Sequence, residues 1–437
     1  MGGIIVNTKQ IKIEQGILEG ELAGSYMIFR GVPYAKAPVN DLRFKAPRPA
    51  ESWDGVRPAL EFAPICPQPV IKDGFYDKEF YTDPAYPVPA QSEDCLYLNI
   101  WAPSEVKRGG CPVALWIHGG AFDHGFGSEM EFDGAAYAAR GVILVTINYR
   151  VGVFGFLALE DLRREDVNKS TGNWGILDQI AALRWVRRNI EAFGGDPDRI
   201  TVFGQSAGAM SVQTLISSPL TRGMIHSAIM QSGGGYKNGL AGAQELPDAY
   251  ATGKKIMELC GVRYLRELRN IPAEKLVEIL PDLYKETQGL AFKPVVDDWV
   301  LEEGTDSALE NDRIHDIPYM IGCTADDIFK PEGEDGRNSA LYKGCADFAE
   351  MRTRVSDQPV YVYYFAKRLP GDEAGAFHSS ELWYMFGTLD RSWRPMNRRD
   401  FILSRTMLDM WTDFMKKADP GNGWRPYSKE SFIRTLM

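Results

Sequence analysis

The sequence predicts an α/β fold, a mostly parallel central sheet flanked by helices and opened by antiparallel strands. Three observations carry this. From Val113 onward, short wholly apolar runs alternate with helical segments, and the first fifty residues alternate apolar and polar positions between glycines. The pentapeptide Gly204-Gln205-Ser206-Ala207-Gly208 follows directly on the apolar run Ile200-Thr201-Val202-Phe203. Wholly apolar runs are what parallel strands need when both sheet faces are covered, whereas alternation marks strands with one wet face.

Taken in order, Gln10-Ile11-Lys12-Ile13-Glu14 and the turns at Gly16, Gly20 and Gly24 read as the opening antiparallel strands. A proline-rich stretch, Gly31 to Pro38, follows. Val113 to Ile117, Val142 to Ile147, Ile200 to Phe203, Ala228 to Met230 and Ile317 to Ile321 are the parallel strands, and Val360 to Phe365 is a further apolar run. Ile176, Ile180, Leu183, Ile190 and Phe193 recur at helical spacing, Gly194-Gly195 ends that helix, and Asp196-Pro197 turns the chain into the next strand. Residues 245–290 carry helical character, and an amphipathic helix runs near Ile402 to Met415. The 437 residues are read as one catalytic domain, 1–437, with cap-like helical insertions around 240–290 and 328–358.

Composition excludes several classes. With 44% hydrophobic and 25% charged residues the chain is neither disordered nor a coiled coil. A net charge of −10 without long basic blocks argues against nucleic acid and membrane-surface partners. Met1 to Gln10 has neither a basic start nor an apolar core, so the expected location is cytoplasmic, the alternative being secretion with the signal already removed. Cys66, Cys95, Cys111, Cys260, Cys323 and Cys345 show no CxxC spacing, so no zinc site is expected.

The GxSxG pentapeptide places Ser206 on a sharp strand-to-helix turn where glycines are needed because side chains would collide. A serine hydroxyl needs a base, and the order for an elbow of this kind is serine, acid, histidine. His118 and His124 precede Ser206, His226 follows it too soon, and His315 precedes the strand that should supply the acid. His378 remains. For the acid, the strand ending Met320-Ile321-Gly322 is followed by Asp326 and Asp327, one to face the imidazole and the other to cap or solvate the loop. Asp297 and Asp298 lie before that strand and read as a turn. His118-Gly119-Gly120-Ala121-Phe122 follows the strand Val113 to Ile117, where consecutive glycines let amides converge on an oxyanion, with Ala207 as a further donor.

With these residues in place the chain resembles the type-B carboxylesterases, the cholinesterase-like group that includes bacterial para-nitrobenzyl esterases. The resemblance runs from about residue 25 to about residue 420. Glu93-Asp94-Cys95-Leu96-Tyr97-Leu98-Asn99, Phe29 to Ala35, Asn173 to Gln179 and Phe193 to Pro197 carry it beside the elbow. It implies an α/β-hydrolase fold and a cofactor-independent serine carboxylesterase acting on small-molecule esters, as a monomer or small homo-oligomer. It implies Ser206 as nucleophile, His378 as base, Asp327 as acid, and Gly119, Gly120 and Ala207 as oxyanion donors. Ser232 would stand behind the triad, and Arg43 with Glu93 and Arg150 with Asp178 would be structural ion pairs.

Departures from the family pattern bear on substrate. Asp327 stands where glutamate is usual, one methylene shorter, and is followed by Ile328 rather than glycine. Gln205 stands where glutamate is common, which weakens attraction for cationic alcohols and favours neutral or hydrophobic esters. Gln205, Phe122, Phe75 and Tyr76 are the expected pocket residues. Phe75, Tyr76, Phe80, Tyr81 and Tyr86 either line the pocket entrance or pack a long loop. The stretch between Asp327 and His378 is short for the family, implying a trimmed cap and an open cleft. Cys66 and Cys95 match a family disulfide but are expected as reduced thiols in a cytoplasmic setting. The rival readings are an amidase or lactonase on the same triad, and a non-catalytic binding protein of the same fold.

Overall fold

The computed structural model describes residues 7–105, 109–240, 242–287, 289–428 and 432–437; residues 1–6, part of the amino-terminal reading above, lie outside them. The described residues form twelve strands: β1 (Thr8–Ile13), β2 (Gly16–Ala23), β3 (Tyr26–Pro33), β4 (Val56–Pro58), β5 (Tyr97–Pro103), β6 (Cys111–Ile117), β7 (Ile143–Ile147), β8 (Gly195–Gln205), β9 (Ser227–Gln231), β10 (Tyr319–Thr324), β11 (Val360–Phe365) and β12 (Ile433–Leu436). They make one sheet in the order β1-β2-β3-β5-β7-β6-β8-β9-β10-β11-β12, with β4 paired to β2 off that path. β1, β2, β3, β5 and β7 are linked by antiparallel pairings, and every pairing from β7 through β6 to β12 is parallel.

Side-chain alternation explains why the parallel strands are apolar throughout. On β6, Val113, Leu115 and Ile117 enter one core and Ala114 and Trp116 enter the other. The first core packs under the helices Trp174–Asn189 and Ala207–Ser217, and the second under the helix Arg398–Lys417 with its buried Met407, Trp411 and Phe414. In the second core Trp116 meets Phe203 and Phe386 edge-on, with ring centroids 4.8 and 5.0 Å away.

Two element boundaries differ from the sequence reading. β8 reaches back to Gly195 and includes Asp196-Pro197, because the turn is made one step earlier by Gly194 at φ +84°. Within 328–358, the helix Ala340–Val355 packs on β10 and β11 as the crossover between them. That part of the segment is therefore a layer of the sandwich rather than a cap. Residues 245–290 do form four short helices, Leu246–Leu259, Leu265–Arg269, Ala273–Glu278 and Leu280–Glu286.

Two buried ion pairs tie the connections to the sheet. Arg150 donates from Nε and Nη2 to the two carboxylate oxygens of Asp178, each at 2.7 Å, joining the end of β7 to the helix Trp174–Asn189. Arg43 grips Glu93 and also donates to the carbonyls of Arg269 and Ile271 at 2.9 and 2.5 Å, which fastens the helical segment to the amino-terminal region.

Removing one partner of a buried pair leaves the other charged and unpaired, which costs about 3–5 kcal/mol. Asp178→Asn should therefore lower the unfolding free energy by about 3 kcal/mol or more in urea titration. A loss well below this would show that the Arg150 charge finds water.

Candidate active site

The three side chains singled out by sequence all follow the carboxyl ends of parallel strands, where α/β sheets open their clefts. Ser206 follows β8, Asp327 follows β10, and His378 lies beyond β11. Ser206 adopts φ +55°, ψ −126°, a conformation that costs non-glycine residues roughly 1–3 kcal/mol and persists only when its surroundings enforce it. The enforcement is visible. A Cβ on Gly204 would lie 2.5 Å from the Gly208 backbone, and one on Gly208 would run into the Ile117 carbonyl. The strand and helix thus touch at the elbow. The Ser206 N–H donates to the Gln231 carbonyl at 2.8 Å, and its own carbonyl accepts from Met210 N–H at 3.0 Å.

Asp327 and His378 meet in the protein interior. His378 Nδ1 lies 2.6 Å from Asp327 Oδ1, while the Asp327 carboxylate also accepts from the N–H groups of Ile328 (2.8 Å) and Thr324 (3.0 Å). Burial alone would raise the Asp327 pKa, but the His378 charge and hydrogen bond, with help from Ser232 and the Thr324 amide, pull it below the ordinary value. Ser232 sits against the carboxylate at φ +50°, although its hydroxyl misses hydrogen-bond geometry and acts there as a nearby dipole. For His378, burial would lower the pKa, yet Asp327, and behind it Glu381, outweigh burial and raise it.

The adjacent Asp326 has a different task. Its carboxylate accepts from Ala376 N–H at 2.9 Å and from Lys330 Nζ at 2.6 Å, and its own N–H donates to the Ala376 carbonyl at 2.9 Å. It clamps the histidine loop to the acid loop. Tyr76 Oη donates to the His378 carbonyl at 3.3 Å from the opposite side.

Ser206 and His378 open on a cavity of about 350 Å³ lined also by Gln205, Gly119, Gly120, Tyr76, Phe80 and Tyr81. Gln205 Nε2 is 3.1 Å from His378 Nε2. Since Nδ1–H is directed to Asp327, Nε2 presents a lone pair and the Gln205 amide donates to it. The loop Gly119 to Phe122 is wound with φ of +100° at Gly120, +53° at Ala121 and +61° at Phe122. A side chain at Gly120 would strike the His124 carbonyl, and one at Gly119 would meet the Gln205 carbonyl at 2.9 Å. Ala207 opens the helix Ala207–Ser217, whose first-turn N–H groups have no intrahelical partner. The arrangement can hold a carbonyl carbon beside a hydroxyl, take up that hydroxyl's proton and meet an oxyanion with amides.

Of the expected pocket residues, Gln205 and Tyr76 line the cavity. Phe122 does not, because it is fully buried against Phe156 with ring centroids 4.9 Å apart. Nor does Phe75, which is 40% exposed and packs edge-on against Phe377. The loop aromatics divide: Phe80 and Tyr81 face the cavity with Tyr76, while Tyr86 lies under the Arg391 guanidinium. Among the excluded histidines, His118 is fully buried and stacked on Tyr149, and burial pushes its pKa down to about 3. Cys66 and Cys95 are both free buried thiols.

Sequence reasoning missed three acids. Glu381 is fully buried behind His378 and Asp327, accepts from Gln231 Nε2 at 3.2 Å, and is pushed up to about 7 by burial and by the Asp327 charge. It stands three residues after His378, in a turn whose sequence carries no periodic pattern that would mark the acid as buried. Glu129 and Glu131 line the cavity itself. They lie close beyond the glycine run, but nothing in the pattern distinguished them from surface acids.

Comparison with known proteins supports one family. The carboxylesterase family model matches residues 7–334 and 337–434. The chain is 34% identical to the para-nitrobenzyl esterase of Bacillus subtilis (strain 168), over 97% of this chain and 94% of that protein. It is 31% identical to carboxylesterase 4A of Bos taurus, over 92% of this chain and 84% of the relative. A solved para-nitrobenzyl (PNB) esterase superposes with a TM-score of 0.87 at 32% identity, covering 98% of this chain and 96% of the other. A carboxylesterase of Geobacillus stearothermophilus superposes with a TM-score of 0.81 at 33% identity, covering 98% and 96%.

Glu381 raises the His378 pKa, and only neutral imidazole accepts a proton, so Glu381→Gln should move the acid limb of the pH–kcat/KM profile for a nitrophenyl ester to lower pH. An unmoved limb would mean that the Glu381 charge does not reach the imidazole.

Proposed function

The chain belongs to the carboxylesterase family, and from that premise we propose that Ser206, His378 and Asp327 are the nucleophile, base and orienting acid of its ester hydrolysis. The protein is a serine carboxylesterase. The observation that most supports the residue assignment is the buried 2.6 Å contact of His378 Nδ1 with Asp327, on an imidazole that shares its cavity with the strained Ser206.

In this reading, Ser206 Oγ attacks the ester carbonyl carbon while His378 Nε2 takes its proton, the Gln205 hydrogen bond to Nε2 giving way as the ester seats. The carbonyl π electrons move to oxygen, where the N–H groups of Gly119, Gly120 and Ala207 receive them, each worth about 3 kcal/mol of barrier. The C–O bond to the alcohol then breaks and the alcohol leaves with the proton from Nε2. Water, deprotonated by the same nitrogen, attacks the acyl-enzyme and releases the acid with Ser206 restored. Asp327 stays ionised throughout and stabilises the imidazolium.

Gln205, a neutral amide beside the nucleophile, together with the aromatic walls of Tyr76, Phe80 and Tyr81, suits neutral and hydrophobic esters. The chain is read as a single catalytic domain with a cap-like helical insertion over 246–286. Its acidic balance, and the fact that no helix of the described residues is long and apolar enough to cross a membrane, accord with a small-molecule hydrolase of the cytoplasm, monomeric or a small homo-oligomer.

Ser206→Ala should abolish hydrolysis of a short-chain nitrophenyl ester, a loss of roughly 10⁵-fold or more in kcat, with the melting temperature nearly unchanged. Retained turnover would sink the nucleophile assignment. Asp327→Asn should cost about 10⁴-fold in kcat, because the imidazole is then held in the wrong tautomer, and Asp326→Asn much less. The reverse ranking would transfer the acid to Asp326.

A further inference from the structure

A second histidine–aspartate pair stands in the wall of the active-site cavity, and the ester chemistry does not use it. His124 lines the cavity with its side chain 29% exposed, and its Nδ1 is hydrogen-bonded to Asp123 Oδ1. The other Asp123 oxygen accepts from Tyr284 Oη at 2.7 Å. Tyr284 belongs to the helix Leu280–Glu286, so the pair is gripped from the helical insertion as well as from its own loop. The backbone fixes it too, because the N–H groups of Asp123 and His124 both donate to the Gly120 carbonyl, at 2.9 and 3.0 Å. A Cβ on Gly120 would stand 3.0 Å from His124 Cδ2, which puts the imidazole edge against the loop Gly119 to Phe122.

What the ring offers follows from its fixed side. With Nδ1 committed to Asp123, Nε2 is left for the cavity; it has no hydrogen-bond partner among the described residues and, unlike His118 Nε2, it is not buried. Burial would lower the His124 pKa, but the hydrogen bond and charge of Asp123, with the charge of Glu129, outweigh it and raise it. The imidazolium, which donates from Nε2, therefore persists to higher pH than in a free histidine. The other titratable groups around it are settled. Glu129 and Glu131 hydrogen-bond each other, Tyr81 bonds Glu129, and burial raises both acids, so that pair keeps a proton. His118 is held neutral by burial, and burial with the Asp123 charge keeps Tyr284 a phenol. Asp123 balances the imidazolium and the acid pair retains negative charge, so this wall repels an anion and suits an uncharged acceptor oxygen.

We propose that His124 is a specificity contact of this cavity, its Nε2–H donating to an uncharged acceptor oxygen, such as an ether, carried on the acyl or alcohol chain of the ester. The proposal rests on the esterase reading and deepens it: the aromatic wall takes the apolar part of the chain and His124 reads an oxygen within it. A plain alkyl chain would cover the imidazolium N–H without offering it an acceptor, which is how polar pockets reject analogues that lack the matching group.

The test is a panel of ester pairs in which one chain CH2 is replaced by an ether oxygen, walked along the acyl chain in one series and along the alcohol chain in another. The ether isolates the acceptor, since it cannot donate. The readout is the ratio of kcat/KM for each ether ester to its alkyl isostere, followed across the neutral pH range; ionisation of His378 is common to both members of a pair and cancels. At the acid end wild type should favour the ether at one position by about tenfold, the size of a hydrogen bond to a charged group, and the ratio should fall as rising pH removes the Nε2 proton. His124→Phe should bring the ratio near one at every pH. His124→Gln, a neutral amide donor, should keep a smaller preference that does not vary with pH, and it guards against a fold defect in the phenylalanine variant. Asp123→Asn removes the charge that raises the His124 pKa and should move the fall to lower pH. A wild-type ratio near one at every position, a ratio unchanged in His124→Phe, or an unmoved profile in Asp123→Asn would overturn the proposal. Failure of wild type to hydrolyse either member of any pair would instead strike the esterase reading itself.

Discussion

One buried hydrogen bond organises the site: His378 Nδ1 to Asp327 Oδ1 at 2.6 Å. It exists because β10 and β11 are parallel neighbours in register, which brings the loops leaving their carboxyl ends side by side. Asp326 then fastens those loops through the backbone of Ala376, so the imidazole is fixed along the chain as well as by its partner. The adjacent aspartates therefore divide the work, one holding the ring and the other holding the loop. Asp327 reaches the imidazole because the two loops are already drawn together.

The elbow imposes the complementary constraint. Contact between Gly204 and Gly208 pins the strand against the helix and forces Ser206 into its strained conformation. The loop Gly119 to Phe122 is packed with equal closeness, since Gly119 and Gly120 have no room for a Cβ. Preorganisation of this kind is what electrostatic catalysis demands, because amides that must rotate into place during the reaction stabilise the transition state less. Around this rigid centre the protein gathers acids. Glu381 lies behind His378 and Asp327, and Glu129 and Glu131 line the cavity. The pocket is therefore less simply apolar than its aromatic walls suggest, and Gln205 beside Ser206 adds no further charge to it.

Much of this was legible in the chain. Apolar runs gave the parallel strands, with Val360 to Phe365 matching β11 end to end, and the order of serine, acid and histidine singled out Ser206 and His378. What stayed illegible depends on contacts between residues distant in sequence. Phe122 looked like a pocket residue from its place beside the glycines, yet its left-handed backbone turns it into the core. Phe75 and Tyr76 are neighbours, and only the helix Phe75–Phe80 decides that Tyr76 faces the cavity. The contact of Gln205 with the imidazole joins residues 173 positions apart, and the carboxyl pair reads as surface charge until the sheet folds beneath it.

The account's central claim is that hydrolysis passes through an acyl group on Ser206, and trapping that intermediate tests it most directly. Turnover of a slowly deacylating ester should be quenched in acid and the digested protein examined by mass spectrometry. The account predicts an added acyl mass on the peptide containing Gly204 to Gly208, located on Ser206. An acyl group on another residue would contradict it, as would an unmodified Ser206 peptide during a demonstrable burst of product.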